Sequence, residues 1–181
     1  MEQLELRAHQ VHVLDMLREA MRRHRAVILY GPTGFGKTEV SISLMDAVRA
    51  KGYRAAFMVD RIVLTEQASE RLARYGIEHG VLQSGHGRYR PEEQLQVCSV
   101  QTLEARGSFP AVDLLVVDEC HTQRESVREF IRHHPTMRVV GLSATPLTRG
   151  LGQTYETVVN AVTTQQLVDD GLLVPLRIFV A

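Results

Sequence analysis

Residues 26–38 read Ala26-Val27-Ile28-Leu29-Tyr30-Gly31-Pro32-Thr33-Gly34-Phe35-Gly36-Lys37-Thr38, and the fold follows from how this stretch is read. The apolar run from Ala26 to Tyr30 ends at Gly31, which opens the pattern G-x-x-x-x-G-K-T closing at Thr38. A buried strand, a glycine-rich turn and the first turn of a helix, in that order, make a phosphate-binding loop. Gly31, Gly34 and Gly36 let the backbone curl until its N–H groups converge on one point, with Pro32, Thr33 and Phe35 between them. A helix starting near Lys37 adds the positive end of its dipole. Lys37 is expected to reach the β- and γ-phosphates of a nucleoside triphosphate, and the Thr38 hydroxyl to ligate the Mg²⁺ that bridges them. An ordinary glycine turn is the alternative; the strand before and the helix after weigh against it.

Composition narrows the rest. The chain has 181 residues, 44% of them hydrophobic, enough for one domain with a sizeable core. Formal net charge is zero, which excludes a bulk-basic nucleic-acid binder and leaves only local patches for such contacts. Lys37 and Lys51 are the only lysines among 21 basic residues, a bias of composition more than of function. The two cysteines, Cys98 and Cys120, lack C-x-x-C spacing, so a disulfide scaffold or zinc site is not expected. No apolar stretch is long enough to span a membrane, and the N-terminus lacks a signal-peptide pattern. A cytoplasmic protein with no membrane partner is expected.

Along the chain, Leu6 to Arg23 has the apolar spacing of an amphipathic helix, with Val13, Leu14, Leu17 and Met21 on one face. Met21 to Arg25 is a charged connection, read as a solvated helix end. Helices are also expected over Lys37–Ala50, Ile62–Tyr75 and Glu125–His133. Strands are expected at Ala55–Val59, His79–Gln83, Leu95–Val100, Leu114–Val117 and Arg138–Leu142. The polar loop Ser84–Pro91 is expected to be mobile, and His133-His134 is a polar helix end rather than a metal site. From Leu151 the pattern is less regular, with a short helix over Thr163–Gly171 and a strand over Leu176–Val180. Continuous apolar strands alternating with helices describe an α/β fold, a doubly wound parallel sheet flanked by helices, with its site at the carboxyl ends of the strands.

The strand Leu114 to Val117 delivers two acids, Asp118 and Glu119, at its tip. In a phosphate-loop enzyme one such carboxylate holds Mg²⁺ and the next can polarise the attacking water. Asp118 fits the metal role and Glu119 that of general base. Alone, the pair would be an ordinary strand-to-helix turn; the phosphate loop upstream favours the catalytic reading.

Taken together, these stretches resemble the superfamily-2 helicases and translocases, the DExD/H class. Asp118-Glu119-Cys120-His121 is similar to their motif II and Ser143-Ala144-Thr145 to motif III. Leu6-Arg7-Ala8-His9-Gln10 is similar to the L-R-x-x-Q start upstream of motif I. Met58 to Arg61, through Gln67, sits where motif Ia belongs, and Val100-Gln101-Thr102-Leu103 where motif Ib or Ic belongs. The order and spacing agree with the first RecA-like domain, a phosphate-loop NTPase fold covering Leu6 to about Pro175. Asp118 to His121, Gly141 to Pro146 and Asp170 to Pro175 resemble the RadD-like DNA-repair helicases and their phage and restriction-motor relatives.

The resemblance implies roles. Gln10 would read the adenine edge, which an amide can match as donor and acceptor, and Arg7 would help place it. Gly34, Gly36, Lys37 and Thr38 would bind triphosphate and Mg²⁺, making ATP the expected nucleotide. His121 would relay between nucleotide and motif III, while Ser143 and Thr145 would couple nucleotide state to domain movement. Arg61, Gln101 and Thr102 would touch a nucleic-acid backbone, or else are plain surface residues. DNA is favoured over RNA by the family alone.

One departure matters. The family's second RecA-like domain carries an arginine finger in a Q-x-x-G-R-x-x-R-like motif, which does not occur here. Residues 1–175 are read as the ATP-binding domain and 176–181 as the start of a linker to that second domain, a partner on the same parent chain. These residues alone are expected to bind ATP-Mg weakly, hydrolyse it slowly and not unwind duplexes. Two other readings stay open: a small-molecule kinase, and a non-catalytic nucleic-acid-binding or scaffold module on a relic nucleotide fold.

Overall fold

The apolar runs become strands because the chain covers both of their faces. The computed structural model describes residues 3–122, 124–145 and 148–160, together with Gln166, Val168 and Gly171. Its elements are α1 (Ala8–Arg23), β1 (Ala26–Tyr30), α2 (Lys37–Arg49), β2 (Ala55–Val59), α3 (Ile62–Arg74), β3 (Gly80–Leu82), β4 (Leu95–Ser99), α4 (Val100–Arg106), β5 (Leu114–Val117), α5 (Glu125–His133), β6 (Arg138–Ser143) and β7 (Thr157–Asn160). The seven strands pair in parallel throughout, in the order β3-β4-β2-β5-β6-β1-β7. No helix among the described residues is long and apolar enough to cross a membrane.

Successive strand residues face opposite ways, so each run feeds two cores. Val27, Leu29, Phe57, Val97, Val116 and Leu142 pack under α1, α2 and α3. Ile28, Met58, Cys98, Leu115 and Val139 pack on the other side with Val127, Phe130 and Ile131 of α5 and Leu103 of α4. Burying one Val, Leu or Phe side chain stabilises by roughly 1.5–3 kcal/mol, against about 0.5–1.5 kcal/mol for a typical hydrogen bond. Apolar burial therefore sets the topology and leaves the strand tips for chemistry. Gly141 of β6 belongs to this packing: a Cβ there would meet Cys120 Sγ and the Tyr155 ring, each at 2.7 Å.

Register gathers the tips at one edge. Tyr30 lies opposite Ser143, Gly141 opposite Val117, Val117 opposite Met58, and Val59 opposite Ser99. The bonds continue past the strands, Gly31 N–H donating to the Ser143 carbonyl at 3.2 Å and Asp118 N–H to the Met58 carbonyl at 2.9 Å. The phosphate loop, the acid pair, Ser143, Asp60 and the start of α4 thus share the carboxyl edge.

Three local expectations change. The first helix begins at Ala8, with Arg7 as its cap residue. The stretch from Val100 forms the helix α4, capped by the Ser99 hydroxyl and ended by left-handed Gly107. The segment after Leu151 is more regular than its sequence suggests, with a 3₁₀ turn at Leu151–Gln153 and β7 added beside β1. The expected strand over Leu176–Val180 and the linker over 176–181 lie outside the described residues. So does most of the helix expected over Thr163–Gly171. Loop Ser84–Pro91 is tied at several points: His86 Nε2 lies 2.8 Å from Glu66, and Arg54 donates to the Pro91 carbonyl at 3.0 Å.

Candidate nucleotide site

The loop between β1 and α2 is shaped by backbone only glycine adopts freely. Gly34 and Gly36 have φ of 85° and 86°, and Gly36 caps α2 from the left-handed region. A Cβ on Gly36 would meet Gln10 Nε2 at 2.2 Å. Beneath the loop Phe35 is buried against Gly31, and the His9 ring packs on it tilted by 53°, with centroids 5.3 Å apart. Thr33 is exposed, and Pro32 is half-buried.

Lys37 folds back over this loop, its Nζ donating to the Gly31 carbonyl at 2.6 Å and to Pro32 at 3.3 Å. Burial lowers its pKa from the usual lysine value, and the charges of Glu119 and Asp118 oppose that fall. Asp118 is pushed above the ordinary carboxylate range, first by burial and then by Glu119; the Glu119 N–H, Lys37 and Arg71 pull it back. A buried carboxylate with a second acid beside it suits a cation. Thr38 and Asp118 line the same small cavity, about 70 Å³, with Gln67 and Arg71. A hydroxyl and one or two carboxylates are a donor set that Mg²⁺ accepts alongside phosphate oxygens. Among the described residues no group of three or more His, Cys, Asp or Glu could hold a metal by itself.

Glu119 is the one non-glycine with positive φ among the described residues, at 45°. Strain of this kind costs on the order of 1–3 kcal/mol, and here it is held by neighbours. The Glu119 N–H donates to Asp118 Oδ1 at 3.0 Å, and its carbonyl accepts from the Thr122 hydroxyl at 3.0 Å. His121 Nδ1 lies 3.2 Å from Glu119 Oε2 and 3.1 Å from Ser143 Oγ, and that oxygen accepts the Thr145 N–H at 2.9 Å. The fold thus brings Glu119, His121, Ser143 and Thr145 into one chain of contacts.

Gln10 is buried and engaged at both ends of its amide. Its Oε1 accepts the Arg7 N–H at 2.9 Å, and its Nε2 donates to the Phe35 carbonyl at 3.2 Å. It ties α1 to the phosphate loop, while Arg7 itself is exposed. Of the expected nucleic-acid residues, Arg61 and Gln101 are exposed at the strand tips. Thr102 is only 7% exposed, on the buried side of α4 next to Leu103, so surface contact there falls to Gln101. Neither cysteine is a thiolate near neutral pH: burial pushes Cys120 up to about 12 and Cys98 further up.

The sequence reading passed over Arg71. It pairs with Glu39 at 3.1 Å and faces the Thr38–Asp118 cavity from α3. The signal available was its four-residue spacing from Gln67, which puts both on one helical face. Roomier clefts lie elsewhere, one of about 390 Å³ beside Arg25, Arg128 and Arg132 and one of about 670 Å³ along α1 and β7.

Known proteins resemble this chain over most of its length. The family described as type III restriction enzyme, res subunit, matches residues 3–148. Replication restart protein PriA of Bacillus subtilis is 30% identical over 146 residues, 74% of this chain and 18% of that protein. The chloroplastic ATP-dependent DNA helicase At3g02060 of Arabidopsis thaliana is 30% identical over 159 residues, 76% of this chain and 19% of that protein. The chain therefore spans about a fifth of the length of these relatives. Among solved structures, the UvsW helicase of bacteriophage T4 superposes with a TM-score of 0.70 at 19% identity, over 85% of this chain and 59% of that one. The Sulfolobus solfataricus SWI2/SNF2 ATPase core in complex with dsDNA gives 0.63 at 14% identity, over 81% and 33%.

Proposed function

Because this chain belongs to the family described as type III restriction enzyme, res subunit, and folds as the RecA-like domain of a superfamily-2 helicase, we propose that its carboxyl edge is the ATP site of a DNA-dependent motor. The observation that carries the reading is the meeting of Lys37, Thr38, Asp118 and Glu119. Thr38 and Asp118 line one cavity, and both acids act electrostatically on Lys37.

In this reading the loop N–H groups and Lys37 bind the triphosphate, with Lys37 exchanging its loop carbonyls for phosphate oxygens. Thr38 and Asp118 hold magnesium, which when bound neutralises charge on the β- and γ-phosphates. Glu119 orients the attacking water and takes its proton. His121 and Ser143 carry the state of Glu119 to the Thr145 segment, and Gln10 carries the shape of the loop to α1. Arg61 and Gln101 face the polymer.

An arginine finger from a second RecA-like domain would complete the transition state, a contribution of roughly 10³–10⁵ in rate. Turnover by these residues alone is then slow. DNA is favoured as the polymer because one relative is named a DNA helicase and one structural neighbour is held on dsDNA.

The test is ATP turnover by the full-length polypeptide that carries these residues, with and without single-stranded DNA, duplex DNA and RNA. Stimulation by DNA supports the motor. Turnover indifferent to every polymer removes it and leaves only the nucleotide site.

A further inference from the structure

At the same edge, beyond the acid pair, Arg124 joins three strand tips. It caps α5 just past the turn Cys120–Thr122 that follows β5. Its Nε donates to Asp60 Oδ1 at 2.5 Å, at the end of β2, and its Nη1 donates to Glu104 Oε2 at 2.7 Å, on α4 after β4. Ser126 holds the other Glu104 oxygen at 2.5 Å. Asp60 precedes Arg61, and Glu104 lies three residues beyond Gln101, on the same face of α4.

We propose that Arg124 is a positioning residue for the polymer: it ties the Arg61 turn and α4 to the acid-pair turn and cancels two carboxylates that would otherwise repel a phosphate backbone. The proposal rests on the reading of this edge as a nucleic-acid track. Stability alone is a poor reason for the cluster. The three side chains are each about one-third exposed, and ion pairs at such exposure add little to folding. Their charges matter more to a polyanion, whose binding depends on the local balance of charge. Asp60, Thr122 and Arg124 share the lining of one cavity of about 20 Å³ with Asp118 and Glu119, so the cluster and the acid pair are neighbours on this edge.

The experiment measures, in the full-length polypeptide, ATP turnover without DNA and the single-stranded DNA concentration giving half-maximal stimulation. Arg124→Met should raise that concentration about fivefold, the scale of one or two partly exposed ion pairs, and leave DNA-free turnover unchanged. Adding Asp60→Asn and Glu104→Gln to Arg124→Met should recover part of the loss, because neutral amides no longer repel phosphate; a merely structural role predicts no recovery. Should Arg124→Met fail to fold, Arg124→Lys serves, since one ammonium cannot span both acids, and about a twofold rise is expected. An unchanged half-maximal concentration, or an equal loss of DNA-free turnover, overturns the role of Arg124 while the motor stands. If DNA does not stimulate the unaltered polypeptide, the polymer track and this role fall together.

Discussion

The two ends of the carboxyl edge are built in opposite ways. At the loop end, between β1 and α2, the chemistry is local and largely backbone: Lys37 bonds to Gly31 only six residues away. At the other end, Arg124 reaches Asp60 across 64 residues and Glu104 across 20. The loop gets its shape from glycine conformations, and the distant cluster gets its own from strand register. Damage should follow the same division. Changes at the loop end should strike chemistry and binding outright, whereas changes at the far end should alter how well chemistry is coupled.

The largest expected effect is Glu119→Gln. It keeps the size of the side chain and removes the proton acceptor, so single-turnover ATP hydrolysis should fall by about 10²–10⁴, the worth of a positioned general base. Nucleotide affinity, read by fluorescence titration, should hold. Lys37→Ala comes next. It removes a charge-assisted contact of roughly 1.5–3 kcal/mol, which weakens ATP binding by about tenfold to a hundredfold. Equal ATP affinity in both variants would mean that Lys37 does not serve the phosphates, and the contrast between the two ends would lose its first term.

The same division explains what could be read in the sequence. Gly31 to Thr38 and Asp118 to His121 stood out because each packs its chemistry into a few consecutive residues. The alternation of continuous apolar runs with helical stretches likewise carried the parallel sheet. The helix α4 was hidden because Val100 reads as the last residue of the strand from Leu95, although Ser99 and Gly107 were available as its cap signals. Strand β7, Thr157 to Asn160, is four residues with one buried side chain, too short for a pattern, and exists because β1 offers it an edge. The engagement of Gln10 with the loop and the Arg124 cluster are facts of register. No spacing in the chain announces them.

Between the two ends stands Gly141, and Gly141→Ala tests whether they are mechanically one body. The added methyl would press on Cys120 Sγ and the Tyr155 ring, both at 2.7 Å. Neither is the free end of a flexible chain, since Cys120 belongs to the acid-pair turn and both are buried. Overpacking of this kind costs about 1–3 kcal/mol, so the thermal midpoint should drop by several degrees. Glu119 should suffer too, because the methyl pushes on its neighbour. A midpoint that drops while hydrolysis per bound ATP is unchanged would show that the acid pair is insulated from the sheet beneath it.

The smallest expected effect is the most discriminating. Arg124→Met deletes two ion pairs and a helix-cap side chain that makes no capping bond of its own. Exposed pairs are typically worth 0.2–1 kcal/mol, and about 1 kcal/mol moves the midpoint of a domain this size by roughly 2–4 °C. The methionine stem preserves much of the apolar contact of the arginine, which reduces the loss further. A shift of no more than a few degrees by calorimetry, beside a clear loss of DNA response, would mark the far end of the edge as built for coupling. A collapse in stability larger than that of Gly141→Ala would instead make Arg124 a strut of the fold, and the two ends would differ only in the distance their contacts span.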